Sequence, residues 1–152
     1  MKISNILREW YKKNARDLPW IQTNDPYRIW ISEIILQQTQ VIQGTGYYLR
    51  FIERFPNVKI LSEASEEEVL RVWQGLGYYS RSRNLHVAAR QVVTEFNGSI
   101  PKNFEQLLRL RGVGEYTAAA VASIAFNEAV AAIDGNVSRV ISRLFGIDIP
   151  MY

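Results

Sequence analysis

The sequence lacks several residues on which common active sites depend. It has no cysteine, and His86 is the single histidine among 152 residues. Disulfides, thiol nucleophiles, cysteine-ligated zinc or iron–sulfur clusters and multi-histidine metal sites are therefore excluded for this chain. No stretch approaches the roughly 18 apolar residues that a membrane span needs, and the first twenty residues are too charged for a signal peptide. We therefore expect a cytoplasmic protein with no membrane partner.

The charges that are present nearly balance. There are 18 Lys and Arg against 15 Asp and Glu, which leaves a net charge of +3. The hydrophobic fraction of 47% is enough for a buried core and argues against disorder. A small basic excess permits a polyanionic partner without demonstrating one.

The apolar residues recur at helical spacing, and no segment alternates with the period of two that strands show. Asp25-Pro26 is typical of a helix start, and Ser65 with Glu68 forms a capping-box pattern. Glycines at 75–77 and Asn97-Gly98 predict breaks. The pattern predicts an all-α fold, with helices at about 2–14, 26–39, 46–55, 65–73, 79–96, 104–110, 116–126 and 136–145.

A tight turn, Gly112-Val113-Gly114, lies between two apolar segments within residues 108–126. Glycine allows the positive φ angles and close backbone approach of such a turn. The helix that follows presents free N–H groups, which favour an anion such as phosphate. This pattern indicates a helix-hairpin-helix that grips a DNA strand, and a plain αα-corner is the alternative.

Two carboxylates stand in unusual surroundings. Glu33 lies within a run of large apolar residues, where burial would raise its pKa and suit a general acid. Its alternative place is the solvent edge of an amphipathic helix. Asp134 follows an apolar run and precedes Gly135-Asn136, so it is either a catalytic carboxylate or an ordinary helix N-cap.

Amides, aromatics and arginines are concentrated in residues 37–40 and 75–83. Such side chains at turns can wedge into a base stack, and Arg81 and Arg83 can meet phosphates. The alternative is an ordinary polar surface above packed tyrosines. His86 lies in the helix predicted over 79–96, and we expect it to have a structural or surface role.

Together these features resemble the MutY-type adenine DNA glycosylases of the helix-hairpin-helix DNA glycosylase superfamily. The resemblance spans nearly the whole chain in order, through RDLPW at 16–20, DPYRIWISEIILQQTQV at 25–41, GLGYYSRSRNLH at 75–86, LRGVGEYTAAAVASIAF at 110–126 and AIDGNVSRV at 132–140. The family architecture implies a six-helix barrel at 21–132 with its helix-hairpin-helix at 104–126. Residues 1–20 would be the N-terminal helix of a second lobe, and 133–152 the start of that lobe.

The resemblance also implies that the second lobe is incomplete, as in a truncated enzyme. The family usually carries a four-cysteine 4Fe-4S cluster in that part, whereas this chain, without cysteines, would bind no cofactor. The apolar stripes of helices 2–14 and 136–145 would then stay partly exposed, since their usual partners are not in this sequence.

The resemblance implies removal of adenine opposite 8-oxoguanine or guanine in double-stranded DNA. Glu33 would protonate the flipped adenine, Asp134 would stabilise the oxocarbenium-like sugar, and Tyr116 and Asn136 would orient them. Residues matching base- or DNA-binding positions are Trp20, Leu36, Gln38, Tyr78, Arg81, Arg83, Gly112, Val113, Gly114 and Arg139. The backbone carbonyls of Leu108, Leu110 and Val113 match those that hold a structural cation.

Two positions qualify this assignment. Endonuclease III-type relatives have a Schiff-base lysine where Tyr116 stands, so the sequence predicts a monofunctional glycosylase. Ile21 replaces the arginine usual after the tryptophan of RDLPW, which removes a polar contact from the pocket. We expect a monomer. The alternatives are a non-catalytic helix-hairpin-helix DNA-binding module, an endonuclease III-like glycosylase, or a helical domain completed by a partner.

Overall fold

The computed structural model describes residues 3–148, and within that range it is all α-helical, as predicted. No helix in these residues is long and apolar enough to cross a membrane. The helices are α1 (Ile3–Asn14), α2 (Pro26–Leu36), α3 (Val41–Arg54), α4 (Val58–Glu63), α5 (Glu66–Trp73), α6 (Ser80–Glu95), α7 (Phe104–Leu107), α8 (Glu115–Phe126) and α9 (Gly135–Phe145).

The local start signals act as predicted. The Asp25 side chain accepts a hydrogen bond from the Tyr27 N–H at 2.9 Å, and Pro26 is the first residue of α2. At α5, both halves of the capping box form between Ser65 and Glu68. Each bond satisfies an N–H that has no partner within its helix.

Other helix boundaries differ from the sequence prediction. Helix α2 ends at Leu36 rather than 39, α7 ends at Leu107 rather than 110, and α3 begins at Val41 rather than 46. Gly44 lies inside α3, where a Cβ would stand 2.8 Å from the Leu36 side chain. This glycine allows α2 and α3 to pack closely and does not break the helix.

Helix α4 was missed altogether. Its N-cap is Asn57, whose side chain accepts a hydrogen bond from the Ile60 N–H at 3.0 Å. Asn57 after Pro56 was the available signal, but only six residues follow before the helix ends. So short a helix depends on packing, here the burial of Val58 and Leu61, more than on its own sequence.

The core is built around α2. Trp30, Ile31 and Ile35 are fully enclosed, and α3, α6 and α8 all pack against this helix. The buried hydrophobic cluster begins at Tyr27 and ends at Ala122. A side chain on α2 therefore has a fixed position relative to most of the fold.

The first and last helices are unlike the rest, because neither buries a single residue. Their apolar stripes are exposed, as predicted, with Trp10 58% and Phe145 62% accessible. The members of these stripes are Ile3, Ile6, Leu7, Trp10 and Tyr11 on α1, and Val137, Val140, Ile141, Leu144 and Phe145 on α9.

Candidate active site

Glu33 projects from the buried helix α2 and is only partly accessible. Burial raises the pKa of its carboxyl group, and the negative charge of Asp134 raises it further, against an opposing hydrogen bond from Tyr116. Burial and the two nearby carboxylates raise the pKa of Tyr116 to about 12, so its hydroxyl keeps its proton and donates to Glu33. The surroundings of Glu33 therefore favour a protonated carboxyl group.

Asp134 has the opposite environment. It is the N-cap of α9, and its Oδ1 accepts the Val137 N–H at 2.7 Å while its Oδ2 accepts the Asn136 amide at 3.2 Å. These hydrogen bonds, that from Val137 foremost, lower the pKa of Asp134. The residue is thus an N-cap, and the same geometry prepares an ionised carboxylate at the cleft.

Both carboxyl groups line one cleft of about 770 Å³. Two carboxyls whose pKa values are pushed apart can divide acid and electrostatic roles between them. Eight of the residues predicted for the site line this cleft, namely Glu33, Leu36, Gln38, Tyr78, Arg81, Tyr116, Asp134 and Asn136. Their individual roles stay predictions.

A second cavity, of about 270 Å³, lies on the Trp20 side of Glu33. Trp20 packs edge-on against Tyr48, with ring centroids 5.1 Å apart. Ile21 also lines this cavity and contributes no charge to it. Glu33 therefore lines two cavities, and the one beside Trp20 is the more apolar of the two.

The structure gives Arg81 partners other than the predicted DNA phosphate. Its guanidinium donates to the backbone carbonyls of Ile34 and Ile35 at 3.1 and 3.0 Å, and also to that of Gln37. Sequence reasoning placed it at the surface because these acceptors lie 44–47 residues away in the chain. These contacts hold the guanidinium within the fold, and a DNA contact of Arg81 stays a prediction.

The other two predicted arginines remain at the surface. Arg83 pairs with Glu66 at 3.0 Å, and both side chains are more than half exposed. Arg139 donates to the Asn136 side chain at 3.2 Å and is itself exposed. Exposed pairs of this kind are weak and can exchange for a phosphate, so a DNA contact stays a prediction for both.

The hairpin forms between α7 and α8. Gly112 has a φ of +76°, and Gly114 is the N-cap of α8, with no side chain to satisfy the first N–H groups. Val113 is buried, and its N–H bonds to the Leu110 carbonyl at 3.1 Å. One of the three carbonyls predicted to hold a cation is thus partly engaged, and cation binding stays a prediction.

Two amide side chains on α6 hold this turn, and sequence reasoning missed both. Gln91 accepts the Arg111 backbone N–H at 2.7 Å. Asn84 accepts from the Arg111 side chain at 3.3 Å and packs so closely that a Cβ at Gly112 would lie 2.6 Å from it. Asn84 and Gln91 are two helical turns apart, which places both side chains on one face of α6. That spacing was the signal available in the sequence.

His86 is buried, and its Nε2 lies 2.9 Å from the Ala64 carbonyl oxygen. Burial lowers its pKa, which favours a neutral ring donating to that carbonyl. The expected structural role is confirmed.

Residues 31–150 match the family described as HhH-GPD superfamily base excision DNA repair protein. The chain belongs to the HhH-GPD superfamily. This confirms the family that the sequence motifs indicated.

Curated relatives of this HhH-GPD chain include adenine DNA glycosylases. That of Buchnera aphidicola subsp. Baizongia pistaciae is 43% identical over 144 residues, covering 95% of this chain and 41% of the relative. The Rattus norvegicus protein is 47% identical over 150 residues, covering 93% and 29%. The chain thus spans less than half the length of either relative.

Solved structures of the superfamily share the fold. A thermostable thymine-DNA glycosylase superposes with a TM-score of 0.86 at 35% identity, covering 94% of this chain and 66% of the other. A non-covalent endonuclease III–DNA complex gives 0.79 at 25% identity, covering 94% and 67%. The predicted fold class, a helix-hairpin-helix DNA glycosylase, is confirmed.

Proposed function

We propose that this protein is a monofunctional DNA glycosylase that removes adenine mispaired with 8-oxoguanine or guanine in double-stranded DNA. The observation that carries the proposal is the pair Glu33 and Asp134. They line one cleft, and their environments shift their pKa values in opposite directions. The names of the curated relatives support adenine as the base.

In the proposed reaction the target nucleotide leaves the base stack, because its glycosidic bond is out of reach inside a duplex. Glu33 gives its proton to the adenine ring as the bond from the sugar carbon to the base nitrogen breaks. The bonding electron pair leaves with adenine, and the ionised Asp134 stabilises the cationic sugar. Water then adds to the sugar carbon and loses a proton, leaving an abasic site.

Tyr116 and Asn136 act on these two groups. The Tyr116 hydroxyl donates to Glu33 and so orients its carboxyl group. The Asn136 amide donates to Asp134 and supports the ionised form. Since tyrosine has no amine, it cannot form the Schiff base of a strand-cleaving lyase.

We propose that the hairpin grips the DNA backbone. Gly112 and Gly114 bring the backbone of the turn close to a phosphate, and the first N–H groups of α8 point toward it. Arg83 and Arg139 add exposed positive charge. Binding through phosphates releases counterions, so affinity should fall steeply with added salt.

The test is single-turnover base release from matched duplexes containing 8-oxoguanine:adenine, guanine:adenine, guanine:thymine and adenine:thymine pairs. We expect release of adenine from the first two. Glu33→Gln should lower the rate by at least about 100-fold, the usual contribution of a general acid, while duplex binding persists. Glu63→Gln, which changes an exposed carboxylate on α4, is the matched control.

Other outcomes select other functions. Release of thymine alone would favour the activity named for the thymine-DNA glycosylase, whose fold is so similar. Duplex binding without release of any base would indicate a non-catalytic binding module. Borohydride trapping of a covalent DNA adduct by the unmodified chain would overturn the monofunctional assignment, whereas Tyr116→Lys should promote such trapping.

A further inference from the structure

Gln38 and Tyr78 share an uncommon backbone conformation. Their φ angles are +53° and +46°, and residues 3–148 contain only two other non-glycine residues with positive φ. Both are exposed, and both line the cleft that holds Glu33 and Asp134. A left-handed conformation is unfavourable for a residue with a side chain, so the surroundings must hold it in place.

The two residues belong to separate segments. Gln38 lies in the turn that follows α2, and Tyr78 lies in the loop that precedes α6. Local sequence alone gives no reason for one to be placed relative to the other.

Arg81 contacts both segments. On one side, its Nη1 donates to the Gln37 carbonyl and lies 3.3 Å from the Thr39 hydroxyl, so its contacts flank Gln38. On the other side, its Nη2 donates to the Gly77 carbonyl at 3.4 Å, and the guanidinium lies 5.4 Å from the centroid of the Tyr78 ring.

The fit of arginine to this place has a physical basis. The carbonyls at the end of α2 carry the negative end of the helix dipole and have no partners within the helix. A planar guanidinium has five donors and stacks on aromatic rings, so it can serve carbonyls and a ring together. Lysine keeps the charge but, as a single compact ammonium, cannot span both segments.

We propose that Arg81 is a positioning residue that holds Gln38 and Tyr78 as one unit, so that both side chains enter a DNA duplex together. The DNA part of this inference rests on the proposed function. The coupling of the two segments does not, because it follows from contacts within the protein. In this inference Arg81 acts through its contacts with the two segments.

The coupling is tested first without DNA. Hydrogen exchange is followed in the peptides that contain residues 37–39 and 77–79, for the unaltered chain, Arg81→Lys and Arg81→Met. We expect both segments to exchange faster in both variants, while α3 and α4 stay protected. Arg71→Lys is the matched control, because Arg71 forms an exposed ion pair with Glu67 on α5, at 2.9 Å.

Faster exchange in residues 37–39 alone would mean that Arg81 is only a cap on α2. Unchanged exchange in both segments would overturn the inference outright. If Arg81→Met fails to fold, the charge-conserving Arg81→Lys still gives the comparison.

The DNA arm uses the Glu33→Gln background and a duplex with 2-aminopurine at the target position opposite 8-oxoguanine. A rise in its fluorescence on binding reports loss of base stacking. We expect Arg81→Lys to abolish that rise and to weaken binding about tenfold, the equivalent of one lost stacking contact. An equal rise in 2-aminopurine fluorescence with Arg81→Lys and with the protein that retains Arg81 would overturn the inference.

A double-mutant cycle completes the test. If Arg81 acts through Gln38 and Tyr78, then Gln38→Ala and Tyr78→Ala will weaken duplex binding much less in the Arg81→Lys protein than in the Arg81 protein. Full additivity would contradict the inference. If Arg81-dependent exchange is seen but no duplex is bound, the proposed function fails and the coupling of the two segments stands.

Discussion

Helices α1 and α3 have similar amphipathic sequence patterns but differ in how far the fold buries them. Both carry an apolar stripe, yet α3 buries Tyr48, Phe51 and Ile52 whereas α1 buries nothing. Helix α9 resembles α1 in this respect. An amphipathic pattern therefore specifies which face of a helix seeks a partner, and burial requires a complementary surface from the rest of the fold.

The candidate site joins these two kinds of region. Glu33 is carried by α2, whose neighbouring side chains are locked in the core. Asp134 stands at the start of α9, where local hydrogen bonds to its own cap hold it. One carboxyl group is thus positioned by tertiary packing and the other by local helix capping.

The strongest way to test this contrast is to remove a tryptophan from each region. Trp30 is fully buried in α2, and Trp10 on α1 is 58% exposed. We expect Trp30→Ala to lower the free energy of unfolding by about 3–5 kcal/mol through cavity formation. Trp10→Ala should change it by no more than about 0.5 kcal/mol. Denaturant titration measures both, and equal losses would mean that α1 is packed in solution.

A second test compares two glycines in turns, both with a positive φ. Gly112 and Gly98 have φ angles of +76° and +75°, so alanine meets the same backbone strain at both, about 1–2 kcal/mol. A new Cβ would meet Asn84 at 2.6 Å in the first case and open space in the second. We expect Gly112→Ala to be the more destabilising and to weaken duplex binding. Equal effects would show that Asn84 yields easily.

The third test concerns the stability cost of Glu33. Its pKa is raised in the folded protein, so folding favours its protonated form, and stability falls as pH rises through that folded pKa. Glu33→Gln should therefore raise Tm at pH 7, with about 2–4 °C for each kcal/mol recovered. The difference should shrink as the pH falls toward 4. Thermal melts across that range measure it.

Glu63→Gln again serves as the control for charge removal, since that side chain is 63% exposed. A Glu33→Gln protein no more stable than the original at pH 7 would show that burial does not disfavour the ionised carboxylate.

The smallest expected effect on stability comes from the exposed stripes. Leu7 and Leu144 are 58% and 52% accessible, so the double change Leu7→Gln and Leu144→Gln should alter the unfolding free energy by less than about 0.5 kcal/mol. It should reduce self-association at high concentration, because exposed apolar patches promote association. Sedimentation velocity gives the readout, and a large loss of stability would place these side chains in a packed interface.

Short sequence patterns, each only a few residues long, were enough to predict several helix starts and the family. The caps at Asp25 and at Ser65 with Glu68 act over two or three residues, so they can be recognised in the sequence itself. Asp134 is also a local cap, and its hydrogen bonds come from the two residues that the motif supplies. The motifs that identify the superfamily are likewise short runs of sequence.

Only the tertiary structure decided what surrounds each side chain. The close approach of Leu36 to Gly44 exists only in the folded chain, and α4 depends on burial of its apolar side. Glu33 becomes a candidate acid because distant helices exclude water from it and bring Asp134 near. Arg81 bonds to carbonyls 44–47 residues away. Burial and electrostatic environment are properties of contacts that close only on folding, and no local pattern encodes them.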